Sequence, residues 1–197
     1  GSVVLDASGK VTKLYAYKMD AAGNILYQDR FAYDTPQNLS ASFTTYWNAA
    51  QGKPVSSAQK QTGRTFFKDG KPLIDVRVDA SGKAIGLTAM AMDASGTLYS
   101  SDRYSFLSPV NLTGNSKDFW DDVRHIPAQA STVRSGRTFY RNGVPWLDLT
   151  IDSSGYVQGM NRYSTDDACM MMDSYHYGFW NGQELTGDYA DYWNGEQ

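Results

Sequence analysis

The chain has 197 residues, of which 41% are hydrophobic, and its formal net charge is −3. A chain of this length buries about 70% of its unfolded surface, so it can fold without a metal or a disulfide, and its single cysteine, Cys169, has no internal partner. The weak negative charge, without a basic stripe, argues against a nucleic-acid partner, and no apolar run is long enough to span a membrane.

The sequence repeats itself with a period of 73 residues. The motif GRTFF at 63–67 returns as GRTFY at 136–140, and Trp47, Trp120 and Trp193 follow the same spacing. We therefore predict a single domain of three sequence copies. The copies are 1–62, which lacks a leading GRTF strand, 63–135 and 136–197.

Within each copy, turn signals separate short alternating runs. Asp69-Gly70 and Asn142-Gly143 are strong signals for two-residue β-hairpins. Residues 74–78 and 147–151 alternate between hydrophobic and polar side chains, which predicts strands with one buried face. Asp-x-x-Gly turns recur at 6–9, 20–23, 79–82, 93–96 and 152–155.

After the strands, the hydrophobic spacing becomes helical. Leu39, Phe43, Tyr46 and Trp47 would share one face of a helix, and the other two copies repeat the pattern. This predicts one short amphipathic helix per copy, with the three tryptophans packed in the core. The predicted N-caps are Ser42, Asn115 and Asp188.

The predicted fold is mainly β, with three tandem pseudo-symmetric antiparallel β-meanders, each followed by a short amphipathic helix. Such copies can close as blades around an axis, close as a barrel, or stack in a row. We favour a propeller-like or barrel-like single domain with pseudo-threefold symmetry and leave the exact closure open. The first copy, without its GRTF strand, would have an open sheet edge.

Two Asp-Arg pairs recur in the strands, at Asp29-Arg30 and Asp102-Arg103. Strand parity places the aspartates on the face of the following aromatic residues, where Arg64 and Arg137 of the GRTF strands are candidate partners. Because buried charges are normally paired, we interpret these residues as structural ion pairs rather than as catalytic acids.

The third copy departs from the pattern at residues 166–181, where Tyr175-His176 replaces Asp-Arg. A Cys169/His176 nucleophile pair is disfavoured because the two residues would face opposite sides of one strand. A Cu(I) site from Cys169, Met170–Met172 and His176 is disfavoured because consecutive strand residues do not converge. A polar-aromatic ligand surface is the least demanding alternative. Its predicted residues are Asp173, Tyr175, His176, Tyr177, Trp180 and Asn181.

The leading functional hypothesis is a non-enzymatic binding domain that recognises carbohydrate through this surface. Low lysine content and fourteen tyrosines favour a secreted or periplasmic location. One alternative is a structural or assembly protein that pairs with a protein partner through an open sheet edge, and a second is a hydrolase with a carboxylate pair such as Asp166/Asp173. The sequence indicates no other catalytic residue, no metal site and no cofactor, and it leaves the oligomeric state open.

Overall fold

The computed structural model describes residues 1–166 and 171–194. The protein is mainly β, with 61% of its residues in strands and antiparallel pairing between them. Helical structure in the described part of the chain is limited to three short 3₁₀ turns, at Phe43–Thr45, Ser116–Asp118 and Tyr189–Asp191. None of the described helices has the length and apolar character needed to cross a bilayer.

Fifteen strands occur in the described residues. They are β1 (Ser2–Leu5), β2 (Val11–Met19), β3 (Ile25–Gln37), β4 (Trp47–Asn48), β5 (Lys53–Pro54), β6 (Gln59–Lys68), β7 (Lys71–Val78), β8 (Lys83–Met92), β9 (Leu98–Asn111), β10 (Trp120–Asp121), β11 (Ile126–Pro127), β12 (Thr132–Arg141), β13 (Val144–Ile151), β14 (Val157–Thr165) and β15 (Met171–Gln183).

The chain forms two compact units, and β8 and β9 contribute residues to both. Unit 1 consists of Gly1–Leu87 and Ser108–Gln129. Its strand order is β1-β2-β3-β6-β7, followed by the first half of β8. The hairpins β4-β5 and β10-β11 also belong to this unit. One of its core clusters consists of Val11, Leu14, Ala16, Phe31 and Tyr46.

Unit 2 consists of Thr88–Leu107 and Ala130–Gln197. Its strand order is the second half of β8 and then β9-β12-β13-β14-β15, so β15 is an edge strand that pairs only with β14 among the described residues. The core cluster of the unit consists of Phe139, Trp146, Leu147, Leu149, Ile151, Val157 and Met160. Trp193, together with Tyr189 of the third 3₁₀ turn and Tyr192 directly after it, packs against this cluster.

The predicted turns are confirmed. The carboxylate of Asp152 accepts hydrogen bonds from the backbone N–H groups of Tyr156 and Ser154, at 3.0 and 2.9 Å. These bonds lower the pKa of Asp152 below its usual value. Gly155 closes the turn with a φ of 90°, a left-handed conformation that glycine adopts without steric strain.

The predicted amphipathic helices are wrong. In the first copy, helical backbone hydrogen bonding ends after one 3₁₀ turn. The chain then enters a hairpin in which Trp47–Asn48 pairs with Lys53–Pro54. The same occurs at Trp120–Asp121. The predicted caps Asn115 and Asp188 do accept backbone N–H groups, but they cap 3₁₀ turns, and Ser42 makes no such bond.

The predicted packing of the tryptophans is confirmed, although a different element carries them. Trp120 is 6% exposed, and the half-buried Trp47 and Trp193 pack against the core clusters of their own units.

The predicted barrel-like closure is also wrong. Within each unit the described strands follow a linear order, and neither β1 nor β15 has a second partner among them. Alternation along a strand fixes which face is buried, but it does not determine whether the first and last strands meet.

Candidate functional site

The arginine of the GRTF motif pairs with a carboxylate on the neighbouring strand. We call these arginine–carboxylate pairs between strands the seam. Arg64 on β6 donates from Nε and Nη2 to the two carboxylate oxygens of Asp29 on β3, at 2.6 and 2.7 Å. Its Nη1 donates to the backbone carbonyl of Thr113 at 2.8 Å. Both charged side chains are only 11% exposed, so each requires the other to offset its desolvation. The predicted structural ion pair is confirmed.

The neighbouring Arg30 explains the glycine and the threonine of the motif. Arg30 donates from Nη1 to Thr65 Oγ1 at 2.7 Å and from Nη2 to Asp75 Oδ2 at 2.9 Å. Thr65 in turn donates to Asp75 at 2.7 Å. A Cβ atom at Gly63 would overlap the Arg30 guanidinium and lie 2.7 Å from the carbonyl oxygen of Val76. Only glycine leaves room for this arginine to cross the strand.

The same contacts occur 73 residues later. Arg137 makes a two-pronged ion pair with Asp102 at 2.6 and 2.7 Å. Arg103 donates to Thr138 and to Asp148, both at 2.6 Å. These aspartates are therefore occupied by arginines, and their carboxylates are not available as a catalytic pair.

The last strand of the third copy, β15, lacks both charges that β3 and β9 contribute to the seam. Tyr175 takes the place of Asp29 and Asp102, and His176 takes the place of the arginine. The Nδ1–H of His176 donates to Asn161 Oδ1 at 2.7 Å, towards the inner neighbour β14. The described outer edge of β15 thus lacks both charged groups that β3 and β9 use to bind a GRTF strand.

All six residues predicted to bind a ligand lie on β15, and all are exposed. Tyr175 and Tyr177 lie opposite Arg162 and Met160 of β14, and therefore share one face of the sheet. His176 lies opposite Asn161 on the other face. The alternation of the strand therefore does not bring the predicted residues together on one face.

The remaining predicted residues have different surroundings. Asp173 lies opposite Ser164 on β14. Trp180 and Asn181 lie in a bulge between Gly178 and Gln183, and the Trp180 side chain is fully exposed.

Other predicted chemistry at the third copy falls partly outside the described residues. Cys169 and Met170 lie there, and with them the nucleophile pair and the Cu(I) site. Asp166 and Asp173 are both exposed. Among the described residues, no group of three His, Cys, Asp or Glu side chains is placed to hold a metal ion.

An arginine that the sequence reasoning missed organises the face of Tyr175 and Tyr177. The Arg162 guanidinium lies 4.8 Å from the Trp193 ring centroid and 6.0 Å from that of Tyr175. Trp193 in turn lies 5.6 Å from Tyr177, centroid to centroid. Together Arg162, Tyr175, Tyr177 and Trp193 form what we call the aromatic face of β15.

A small cavity of about 210 Å³ opens beside this face, at the end of β12, β13 and β14. Arg141 and Arg162 line it, together with Trp146, Tyr163 and the hydroxyl side chains Ser164 and Thr165. The Arg141 guanidinium stacks 3.7 Å from the ring centroid of Trp146. Burial, followed by the charge of Asp148, raises the pKa of Tyr163, so its hydroxyl stays protonated at neutral pH.

A comparison of the copies could have found this cavity. Arg162 stands where the other copies have Ala16 and Ala89, and Trp146 stands where the second copy has Leu73. Both substitutions precede the segment 166–181 on which the sequence reasoning concentrated.

A larger, open depression of about 660 Å³ lies in unit 1 around the hairpin β10-β11. It includes Val123, which is 91% exposed. Its charged residues Asp121 and Arg124 are within 3.7 Å of each other, and Asp122 is paired with Lys68. Three of the four charged residues that line this depression therefore have partners within the chain.

No protein-family model matches this chain. A search of curated proteins likewise found no significant sequence match.

Proposed function

We propose that the protein is a non-enzymatic binding domain that recognises carbohydrate on the aromatic face of β15. The observation that carries the proposal is the pair Tyr175 and Tyr177, which are 47% and 37% exposed on one face and backed by Trp193. Exposed aromatic rings offer apolar area together with a polar hydroxyl. A saccharide has the complementary surface, with C–H faces that stack and hydroxyls that form hydrogen bonds.

The occupied carboxylates support a binding role over a hydrolytic one. A glycosidase needs two carboxyl groups roughly 5–10 Å apart on either side of the bond to be cleaved. Asp29, Asp75, Asp102 and Asp148 are instead bound to arginines. Together with this function we propose a secreted or periplasmic location.

The test is a glycan array followed by titration calorimetry with the best ligand. We expect Tyr175→Ala and Tyr177→Ala to weaken binding about tenfold or more, because each removes stacking area. Tyr156→Ala is the matched control, since Tyr156 is 46% exposed and does not belong to the face. Absence of binding to any glycan, or equal losses in all three variants, would count against the proposal.

The second candidate is assembly through the edge of β15. This strand has no outer neighbour among the described residues and contains neither Lys nor Pro, the residues that commonly protect an edge. Trp180, fully exposed, lies on the same strand. A partner would add a strand to this edge through backbone hydrogen bonds.

Sedimentation velocity over a wide concentration range tests the assembly candidate. We expect self-association that Ser174→Lys abolishes, because a charge at this position opposes strand addition. A protein that stays monomeric at about millimolar concentration, with no change on substitution, would rule out self-pairing.

A further inference from the structure

Arg77 aside, the arginines of this protein fall into two groups according to their partners. One group is paired with carboxylates, and it consists of Arg30, Arg64, Arg103, Arg124, Arg134 and Arg137. Arg141 and Arg162 differ, since among the described residues each contacts aromatic rings and neither has a carboxylate within ion-pairing distance. Both line the same cavity.

Of these two arginines, Arg162 has the stronger need for a further hydrogen-bond partner. It is half-buried, and its Nε–H is enclosed without a hydrogen-bond acceptor in the described part of the chain. A cation stacked on an aromatic ring gains about 0.5–2 kcal/mol, which does not satisfy an enclosed N–H donor. The other copies have alanine at this strand position, so the sheet itself does not require a cation there.

The cavity around these arginines offers hydrogen-bond donors. Ser164, on the same face of β14 as Arg162, adds a hydroxyl to the two guanidinium groups, and no Asp or Glu side chain of the described residues lines the cavity. A guanidinium matches the planar oxygens of a carboxylate in a two-pronged geometry. At about 210 Å³ the cavity is smaller than the roughly 300–1,000 Å³ of sites that enclose a whole ligand, so it suits one charged end of a longer molecule.

We propose that the cavity of Arg141 and Arg162 binds the carboxylate of an acidic saccharide whose neighbouring rings lie on the aromatic face of β15. This inference rests on the proposed function and specifies its ligand class, sugars of the uronate or sialate type. The arginines supply charge and orientation, while Tyr175 and Tyr177 supply stacking area.

The experiment uses ligand pairs that differ in the acid group. Oligogalacturonate is compared with its methyl ester, and sialyllactose with lactose, by titration calorimetry against the whole chain. We expect at least one acid to bind roughly 10- to 100-fold more tightly than its neutral partner, the range given by hydrogen bonds to a charged group. Its affinity should fall as salt is raised.

Three variants locate the effect. Arg162→Ala, which restores the residue of the other copies, should lower the affinity for the acid far more than that for its neutral partner, so that the preference for the acid is lost. Arg162→Lys should retain part of the preference, because it keeps the charge but not the planar fork. Arg124→Ala, in the other unit, is the matched control and should change nothing.

The outcomes separate this inference from the proposed function. Glycan binding without acid preference, or an acid preference that survives Arg162→Ala, overturns the inference while the binding function stands. If neither these ligands nor any array glycan binds, both fail. Denaturation midpoints of the variants test whether each is folded.

Discussion

The outer side of β3 and the outer side of β15 carry different chemistry at equivalent positions of the sequence copies. On β3, Asp29 and Arg30 reach across to the GRTF strand and form ion pairs with Arg64 and Asp75. On β15, the same positions hold an exposed tyrosine and a histidine that is bonded inwards to Asn161. One strand uses its side chains to hold a neighbour, and the other presents them to solvent.

The difference indicates the structural role of the paired charges in this fold. Paired half-buried charges join strands, and they contribute only as complete pairs, because a single buried charge is costly. Where the third copy drops the pair, it gains aromatic area and an arginine, Arg162, that has no carboxylate among the described residues. Equivalent positions of the copies thus differ in whether their side chains pair with a neighbouring strand or stay exposed.

The largest expected effect comes from breaking the seam. Asp29→Ala leaves the Arg64 guanidinium buried without its carboxylate and should lower the free energy of unfolding by about 3–5 kcal/mol. Urea denaturation followed by circular dichroism measures the loss. Asp34→Ala removes an exposed pair with Lys60 and should cost no more than about 1 kcal/mol. Equal losses in the two variants would contradict the role given to the seam.

A smaller loss of stability is expected at Gly63, where the arginine of the seam leaves no room for a Cβ atom. Gly63→Ala places a methyl group against the Arg30 guanidinium and the Val76 carbonyl, and should cost about 1–3 kcal/mol by overpacking. Gly178→Ala, on β15, meets no atom within 4 Å and is the control. The same denaturation measurement applies, and a neutral Gly63→Ala would show that Arg30 can move aside at little cost.

Arg162→Ala should behave unlike any disruption of the seam. This substitution removes a half-buried cation that has no carboxylate partner among the described residues. Stability should change by less than about 1 kcal/mol, because the lost stacking is offset by the desolvation cost that the variant no longer carries. Arg64→Ala leaves the Asp29 carboxylate buried without its partner and should lower the free energy of unfolding several times more. A large loss for Arg162→Ala would assign this arginine to the framework instead.

The smallest effect concerns the turns, which the copies share. A hydrogen bond from the Ser81 hydroxyl, followed by that from the Lys83 N–H, lowers the pKa of Asp79 below 3.8. A lowered folded-state pKa stabilises the fold above the unfolded value, and this contribution is lost as the pH falls through the folded value.

Asp79→Asn tests this contribution. The variant should therefore be less stable than the wild type near neutral pH, and the difference should vanish in strong acid. Urea midpoints measured from about pH 7 down to about pH 2 report this. Ser81→Ala should lose part of the same dependence, and a difference that is independent of pH would contradict the assignment.

Local chemistry made the turns, the alternating strands and the Asp29–Arg64 pair predictable. Asp-x-x-Gly fixes a turn within four residues, and strand parity fixes which side chains share a face. The helices were mispredicted because the spacing of Phe43, Tyr46 and Trp47 also fits a 3₁₀ turn that continues into a hairpin. The prediction of a closed barrel was wrong for a different reason. Closure depends on whether the edge strands pair with each other, which no periodicity of the sequence determines.

The sequence reasoning named only some of the residues of the proposed site. The divergent strand pointed to Tyr175 and Tyr177, whereas Arg162 belongs to the preceding strand and reaches them across a β14–β15 register that no local pattern reveals. Aligning the copies residue by residue would have marked Arg162 and Trp146, since each replaces a smaller apolar residue.

The seam joins residues that lie on opposite sides of a copy boundary. Arg64 begins the second copy by sequence, yet its carboxylate, Asp29, belongs to the first, and Arg137 stands in the same relation to Asp102. A duplication of this segment would therefore carry the complementary half of its own junction, and the array could lengthen without evolving a new interface. Tyr175 and His176 replace both charges on β15, so this strand cannot form the same ion pairs with a neighbouring strand.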